Sequence, residues 1–263
     1  MLAIHGITST SATWLPTARS LGDRAAPVAV DLRGRGRSNG LPPPFGLDAH
    51  VRDMIAVLDA LRLARAVIVG HSLGAYVAAR LGTTHPDRVR GLVLVDGGLT
   101  IPESEGADPE QFIADFLGPS FARLELTFPD LDAYRDWWRQ HPAFAGSDVS
   151  PADLDAYAAH DLVGDGGRLH SSVNAQVVHD DGLDLFGAPD APALTVPATL
   201  LCAPRGMVDD PNPMQPLADV QAWAGEDPAR RRAVLVPDVN HFTIALGARG
   251  SRQVAAAIAD AVT

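Results

Sequence analysis

The chain of 263 residues contains no lysine, a single cysteine and no long apolar run. All 21 basic residues are arginine, and 32 acidic residues bring the net charge to −11. A general nucleic-acid or anionic-membrane surface needs positive charge, so this balance argues against both as partners. The lone Cys202 excludes an intrachain disulfide framework and a cysteine-rich metal site.

The distribution of apolar residues points to a globular protein. No run approaches the roughly 20 residues of a membrane helix, and the N-terminus lacks the basic region and apolar stretch of a signal peptide. Hydrophobic residues make up 46% of the chain and charged residues 20%, enough for a sizeable core. We therefore expect a soluble, cytoplasmic protein with one large domain, or a core with one inserted subdomain.

Short apolar segments alternate with helical patterns at both ends of the chain. Residues 47–61 carry apolar side chains at three- and four-residue spacing, which places them on one helical face. The alternation predicts an α/β fold, with a mostly parallel sheet and helices on both faces. Functional residues gather at the carboxyl ends of such strands. The predicted strands are 2–4, 27–31, 66–69, 91–95, 198–202 and 233–236.

Residues 99–192 interrupt this alternation. They are rich in Asp, Pro and Gly, with helical patterns over 129–140 and 151–160 and no convincing strand. We interpret them as a helical cap inserted between two parts of the core, 1–98 and 193–263. The aromatic residues of the cap form either its own core or an apolar acyl pocket: Phe112, Phe116, Tyr134, Trp137, Trp138 and Tyr157.

The segment Gly70-His71-Ser72-Leu73-Gly74 matches the pattern G-x-S-x-G between a buried strand and a helix. This context is typical of a nucleophile elbow, in which a tight turn projects the serine above the sheet edge. A serine hydroxyl needs a base. His241 follows the last predicted strand and is the best candidate, whereas we expect His71 to point away from Ser72.

Two positions compete for the acid that orients the base. Asp96 ends the strand 91–95, and Asp209 or Asp210 follows the next strand on a longer loop; both give the order nucleophile, acid, histidine. A rigid carboxylate holds an imidazole better, which favours Asp96.

An acyl-transfer site also needs donors for the oxyanion. The glycine-containing loop after the first strand supplies one, so the predicted pair is the backbone amides of Ile7 and Leu73. We interpret His5 as a residue that shapes this loop.

These motifs together resemble the α/β-hydrolase superfamily of capped serine hydrolases, over 1–96 and 198–255. The matching pieces are His5-Gly6, Asp31 to Ser38, Gly70 to Gly74, His85 to Val89, and His241. The resemblance implies an eight-stranded sheet, a cap after the sixth strand and no organic cofactor, and it supports the oxyanion assignment. Family members usually place the acid after the seventh strand in Gly-x-x-Asp; here Gly206 stands at that position, which favours Asp96.

The first two strands of the usual fold are absent, so the edge of the strand 27–31 is expected to be unpaired. An exposed edge strand promotes association. We expect either that the natural protein starts upstream or that a partner chain, such as a second copy in a homo-oligomer, covers this edge.

The sequence therefore predicts a serine hydrolase acting on a small ester, lactone or related acyl substrate. A thioesterase, a peptidase, a C–C bond hydrolase and a non-catalytic binding protein stay open as alternatives. No metal site is predicted, since His170, His179, Asp180 and Asp181 match no ligand spacing and read as a solvated cap segment. The remaining expectations are backbone-anchoring roles for Arg33, Arg35 and Arg37, and a buried, inert Cys202.

Overall fold

The computed structural model describes residues 1–101, 106, 108, 111, 122–185 and 189–262. The strands are β1 (Leu2–Ile4), β2 (Val28–Val30), β3 (Ala66–His71), β4 (Val89–Val95), β5 (Leu162–Val163), β6 (His170–Ser171), β7 (Ala198–Cys202) and β8 (Arg231–Leu235). The helices are α1 (Leu15–Leu21), α2 (Leu47–Ala60), α3 (Leu73–Thr84), α4 (Leu131–Arg139), α5 (Pro151–Asp161), α6 (Ala175–Asp184), α7 (Leu217–Glu226), α8 (Thr243–Leu246) and α9 (Ala248–Val262).

The main sheet is parallel throughout, with the strand order β2-β1-β3-β4-β7-β8. This confirms the predicted fold class. Strand β2 occupies one edge of the sheet, as expected from the missing first strands, and all six main strands lie within two residues of their predicted bounds. The carboxyl ends of β3, β4 and β7 are neighbours, so residues that follow these strands meet at one edge.

The two faces of the sheet bury alternate residues of each strand, as the two-residue period of a strand requires. Ile68 and Leu94 pack with α2 and α3 on one face, whereas Val67 and Val93 pack with α9 on the other. Because helices cover both faces, the central strands are apolar at every position. Among the described residues, no helix combines the length and apolar character needed to cross a bilayer.

The segment between β4 and β7, residues 99–192, contains α4, α5 and α6; we call it the inserted segment. The expectation of no strand there is wrong, because β5 and β6 pair as a short antiparallel sheet. The described aromatic residues of this segment form a separate core. This core also contacts Ala12 and Leu246 of the rest of the chain, which we call the main domain.

Candidate active site

Ser72 occupies a sharp turn between β3 and α3. Its backbone has φ 54° and ψ −125°, a region that L-residues rarely adopt. A Cβ at Gly70 would lie 2.0 Å from the carbonyl oxygen of Gly74, and one at Gly74 would lie 2.1 Å from that of Ile4. Neither glycine therefore tolerates a side chain, and both are required for the elbow geometry.

Asp96 follows β4 directly and is completely buried. Its amide donates to the carbonyl of Leu201 at 2.8 Å, and its Oδ1 accepts from the amide of Ala203 at 3.0 Å. These two bonds tie the residue to the neighbouring strand β7. Its Oδ2 is left to face His241.

His241 lies on the loop between β8 and α8 and is 3% exposed. Its Nδ1 lies 2.7 Å from Asp96 Oδ2. A carboxylate only accepts, so Nδ1 carries the proton and Nε2 presents its lone pair. The structure thus places a carboxylate, an imidazole and a strained serine at one edge of the sheet.

The alternative acids do not contact His241. Asp209 Oδ1 accepts from Asn240 Nδ2 at 2.9 Å and lies 2.9 Å from Arg205 Nε. Asp210 accepts from the amide of Asn212. Asp209 instead holds Asn240, the residue that precedes His241, and of these three carboxylates it is that of Asp96 that contacts the imidazole.

His71 contacts the imidazole of His241 and lines the same pocket as Ser72, a contact that the expectation about its direction relative to Ser72 did not include. The two ring centroids are 4.8 Å apart, and His71 Nε2 donates to the backbone carbonyl of His241 at 2.8 Å. Burial, together with the nearby His241, lowers the pKa of His71 to about 3. The ring is therefore neutral and anchors the loop that carries His241.

The loop after β1 passes directly over the serine. A Cβ at Gly6 would lie 3.2 Å from Ser72 Cβ and 3.6 Å from Ser72 Oγ. Among the described residues, neither the amide of Ile7 nor that of Leu73 donates to a backbone or side-chain acceptor, so both are available to a ligand. His5 shapes this loop: its Nδ1 donates to Gly6 at 2.8 Å, and its Nε2 accepts from the Leu32 amide at 3.0 Å.

A pocket opens in front of these groups, with about 410 Å³ of space that includes open solvent. The described residues that line it include no arginine, aspartate or glutamate. Besides Ser72, His71 and His241, they are Gly6, Ile7, Thr8, Ser9, Thr13, Tyr157, Met207, Phe242 and Leu246. The pocket therefore suits a small, mainly apolar and uncharged group.

The described aromatic residues of the inserted segment include members of its core, and one of these also lines the pocket. Tyr134 and Trp138 are buried in the segment's own core, whereas Tyr157 belongs to that core and also lines the pocket. Trp137 is partly buried against the same core. Phe112 and Phe116 lie outside the described residues.

Asp181 was expected in a solvated segment, and this expectation is wrong. Its carboxylate is completely buried and lies 2.6 Å from Arg35 Nη1 and 2.9 Å from His50 Nε2. Burial favours the neutral acid, but the Arg35 charge and the His50 hydrogen bond outweigh it and lower the pKa of Asp181. Sequence reasoning missed His50, because nothing in the sequence brings it to Asp181.

Other sequence predictions concern residues away from the serine. Arg33 donates to the carbonyls of Pro42 and Pro44, and Arg35 to that of Ile7, so both anchor backbone as expected. Cys202 is buried in β7, and burial raises its pKa to about 12. In the described part of the chain, no three His, Cys, Asp or Glu side chains come together as a metal site.

With this geometry in place, comparison with known proteins identifies the family. The chain matches the alpha/beta hydrolase family over residues 1–257, and it belongs to that family.

The proteins with similar sequences match this chain over different fractions of their lengths. A Caulobacter segnis protein provisionally named carbamate hydrolase RutD is 40% identical over 99 residues, 37% of either chain. Lipase LipV of Mycobacterium tuberculosis is 35% identical over 167 residues, 62% of this chain and 57% of its own. The chain thus matches less than two thirds of either relative.

Solved structures match the fold over the whole chain. The crystal structure of E-2-(acetamidomethylene)succinate hydrolase superposes with a TM-score of 0.81, covering 100% of this chain and 90% of that one at 22% identity. At this identity the likeness shows the fold alone. Both relatives named above are named as hydrolytic enzymes, which supports an enzyme of the alpha/beta hydrolase type.

Proposed function

We propose that the chain is a serine hydrolase that cleaves a small carboxylic ester, lactone or related acyl compound through an acyl-serine intermediate. The observation that carries this proposal is the buried hydrogen bond of 2.7 Å between Asp96 and His241, at the same pocket as Ser72. A carboxylate that fixes the imidazole tautomer leaves Nε2 free to take a proton from a serine.

The proposed reaction uses each of these groups in turn. Ser72 Oγ attacks the substrate carbonyl while His241 Nε2 takes the hydroxyl proton, and the amides of Ile7 and Leu73 donate to the resulting oxyanion. His241 then protonates the leaving group as the tetrahedral intermediate collapses to the acyl-serine. Water then attacks the acyl carbon while the same imidazole takes its proton, and the imidazolium returns that proton to Ser72 Oγ as the acid is released.

Asp96 stays ionised throughout and holds the imidazolium that forms in each half-reaction. Burial of the carboxylate strengthens this interaction, because no water competes for Oδ2. The bond that its amide donates to Leu201 and the bond that its carboxylate accepts from Ala203 fix its position before the substrate arrives, so no reorganisation is needed during the reaction.

The pocket restricts the substrate to an uncharged acyl group. Its described lining offers the hydroxyls of Ser9 and Thr13 and the apolar side chains of Met207 and Leu246, but no guanidinium for a second carboxylate. Because burying an unpaired charge is costly, neutral short-chain esters should turn over faster than dicarboxylic or anionic acyl compounds of the same length.

A fluorophosphonate probe tests the proposal directly. We expect one adduct by intact mass, mapped to the peptide containing Ser72, and its loss in Ser72→Ala and His241→Ala. Esters, lactones and thioesters with matched acyl chains then rank the substrate classes. Folded protein without an adduct and without turnover of any of these substrates would reject a serine hydrolase.

A further inference from the structure

Two buried arginines hold successive carbonyls of the loop that covers the serine. Arg35 Nε donates to the carbonyl of Ile7 at 3.0 Å, and Arg123 Nη2 donates to that of Thr8 at 2.7 Å. The peptide unit is planar and each residue has only two soft dihedrals. The Thr8 carbonyl shares its peptide plane with the Ser9 amide, and this amide donates to the carbonyl of Gly6 at 3.2 Å. The Gly6 carbonyl in turn shares its plane with the Ile7 amide. Fixing the carbonyls of Ile7 and Thr8 therefore restrains the Ile7 amide, through the dihedrals of Ile7 and through the bond from Ser9 to Gly6.

Both guanidiniums are almost completely removed from water. Arg35 is 0% exposed and Arg123 is 2% exposed. A buried charge requires a partner of opposite sign. Arg35 Nη1 lies 2.6 Å from Asp181, and Arg123 Nη1 lies 2.6 Å from Asp161.

The aspartates are themselves fixed by further donors. Asp181 accepts from His50 Nε2 at 2.9 Å and from the Gly46 amide at 2.8 Å. Asp161 accepts from the hydroxyls of Ser171 and Ser172, each at 2.9 Å. Each arginine is thus held in one position by several polar contacts rather than by a single one.

The inserted segment contributes to both networks. Arg123, Asp161 and Asp181 all belong to it, whereas Arg35 follows β2 in the main domain. The loop over the serine is therefore bonded to the inserted segment directly through Arg123, and indirectly through Arg35 and Asp181.

We propose that Arg35 and Arg123 are positioning residues for the oxyanion hole, and that the hole is complete only when the inserted segment is docked on the main domain. The inference rests on the proposed function, since it assigns the Ile7 amide to the oxyanion. It adds a role for the inserted segment beyond lining the pocket: docking of the segment sets the geometry of the catalytic donor.

A buried ion pair alone does not show that Arg123 positions the loop over the serine. The test must therefore separate the loss of the bond to Thr8 from the loss of the buried charge. Replacing a buried pair by apolar or neutral groups of similar size is often close to neutral for stability, whereas removing one partner leaves an unpaired charge. The paired variant Arg123→Met/Asp161→Asn therefore removes the bond to Thr8 without leaving a buried charge.

The chain offers a matched control. Arg19 and Asp153 also join the main domain to the inserted segment, at 2.6 Å, but neither contacts the loop over the serine. The control variant Arg19→Met/Asp153→Asn thus weakens docking by one ion pair and leaves the carbonyls of Ile7 and Thr8 bonded.

The experiment measures ester turnover per active site, with sites counted by complete fluorophosphonate labelling. A lost oxyanion donor typically lowers kcat by 10²–10³-fold. For Arg123→Met/Asp161→Asn we expect kcat to fall by about that factor, with KM within about threefold of the wild-type value. We expect a parallel loss of affinity for an alkylboronic acid, because its tetrahedral adduct places an oxygen in the oxyanion hole. The control should keep all three values.

A purely structural role would lower the labelled fraction and the melting temperature but leave kcat per labelled site and boronate affinity unchanged; that result overturns the inference. If the double variant does not fold, Arg123→Lys keeps the charge beside Asp161 but lacks the second nitrogen that reaches Thr8, and the same outcomes apply. Folded wild-type protein that neither takes the label nor turns over any of these substrates would instead reject the proposed function itself, so the two failures are distinguishable.

Discussion

Asp96 Oδ2 lies 2.7 Å from His241 Nδ1, on a carboxylate with no exposed surface. We expect Asp96→Asn to lower kcat by roughly 10⁴-fold, because an amide at this position stabilises the wrong imidazole tautomer and cannot balance an imidazolium. Substrate binding should change little. Steady-state kinetics with a neutral ester checks both values.

Asp209→Asn is the matched control for that substitution. It removes one negative charge from the same region, but its side chain contacts Asn240 and Arg205 rather than His241. We expect its kcat to stay within about tenfold of wild type. Equal losses in the two variants would contradict the assignment of Asp96.

His71 supports the same histidine from the other side. His71→Phe keeps a flat ring but removes the Nε2 donor to the carbonyl of His241, and loss of one such bond corresponds to about tenfold in rate. We expect that decrease in kcat and in the fluorophosphonate labelling rate, with KM unchanged. His71→Gln retains a donor and should recover most of the rate; equal losses in both variants would show that the hydrogen bond is not the cause.

The fold and the candidate residues Ser72, Asp96 and His241 could be predicted from the sequence for a physical reason. Strands buried on both faces are continuous apolar runs, and the chemistry of a parallel sheet collects where those runs end. Ser72 and Asp96 follow such runs directly, and His241 lies on the loop after the last strand. The choice between Asp96 and Asp209 stayed open because both follow strand ends, and only the packed loops show which carboxylate faces the imidazole.

The networks around the loop could not be predicted in the same way. Arg123 and Thr8 are separated by 115 positions, and Asp181 lies in a stretch of charged residues that reads as solvent-facing. A buried charge has the same sequence pattern as an exposed one until its partner is known. Likewise, β5 and β6 have two residues each, too few for a detectable alternation.

Two buried neutral histidines make stability depend on pH. Burial lowers the pKa of His5 to about 4 and that of His71 to about 3, compared with about 6.5 in an unfolded chain. Below pH 6.5 these two histidines are protonated in the unfolded chain but stay neutral in the folded protein. The free energy of unfolding therefore falls as pH falls. Each histidine contributes about 1.4 kcal/mol per pH unit once the pH is well below 6.5.

Chemical denaturation at pH 5 to 6 tests this dependence, in a range above the titration of unfolded carboxyl groups. His71→Gln removes one of the two groups, so its slope against pH should be smaller than that of the wild type by about 1.4 kcal/mol per unit. Identical slopes in the two proteins would mean that His71 is protonated in the folded state.

The elbow glycines provide the sharpest test of the backbone geometry. A Cβ at Gly74 would lie 2.1 Å from the carbonyl oxygen of Ile4 and 2.8 Å from that of His5. Both contacts are to backbone, which has no rotamer to move away, so Gly74→Ala must displace either β1 or α3. We expect the free energy of unfolding to fall by about 3 kcal/mol or more.

Gly225→Ala is the matched control for this change. Gly225 lies near the end of α7 with nothing within 4 Å of its Cβ position, and alanine in a helix is favoured over glycine by up to about 1 kcal/mol. The same substitution should therefore stabilise the protein at 225 and destabilise it at 74, as read from urea unfolding curves. A loss below 1 kcal/mol at 74 would contradict the close approach of the elbow to β1 that brings Ser72 to the loop of Ile7.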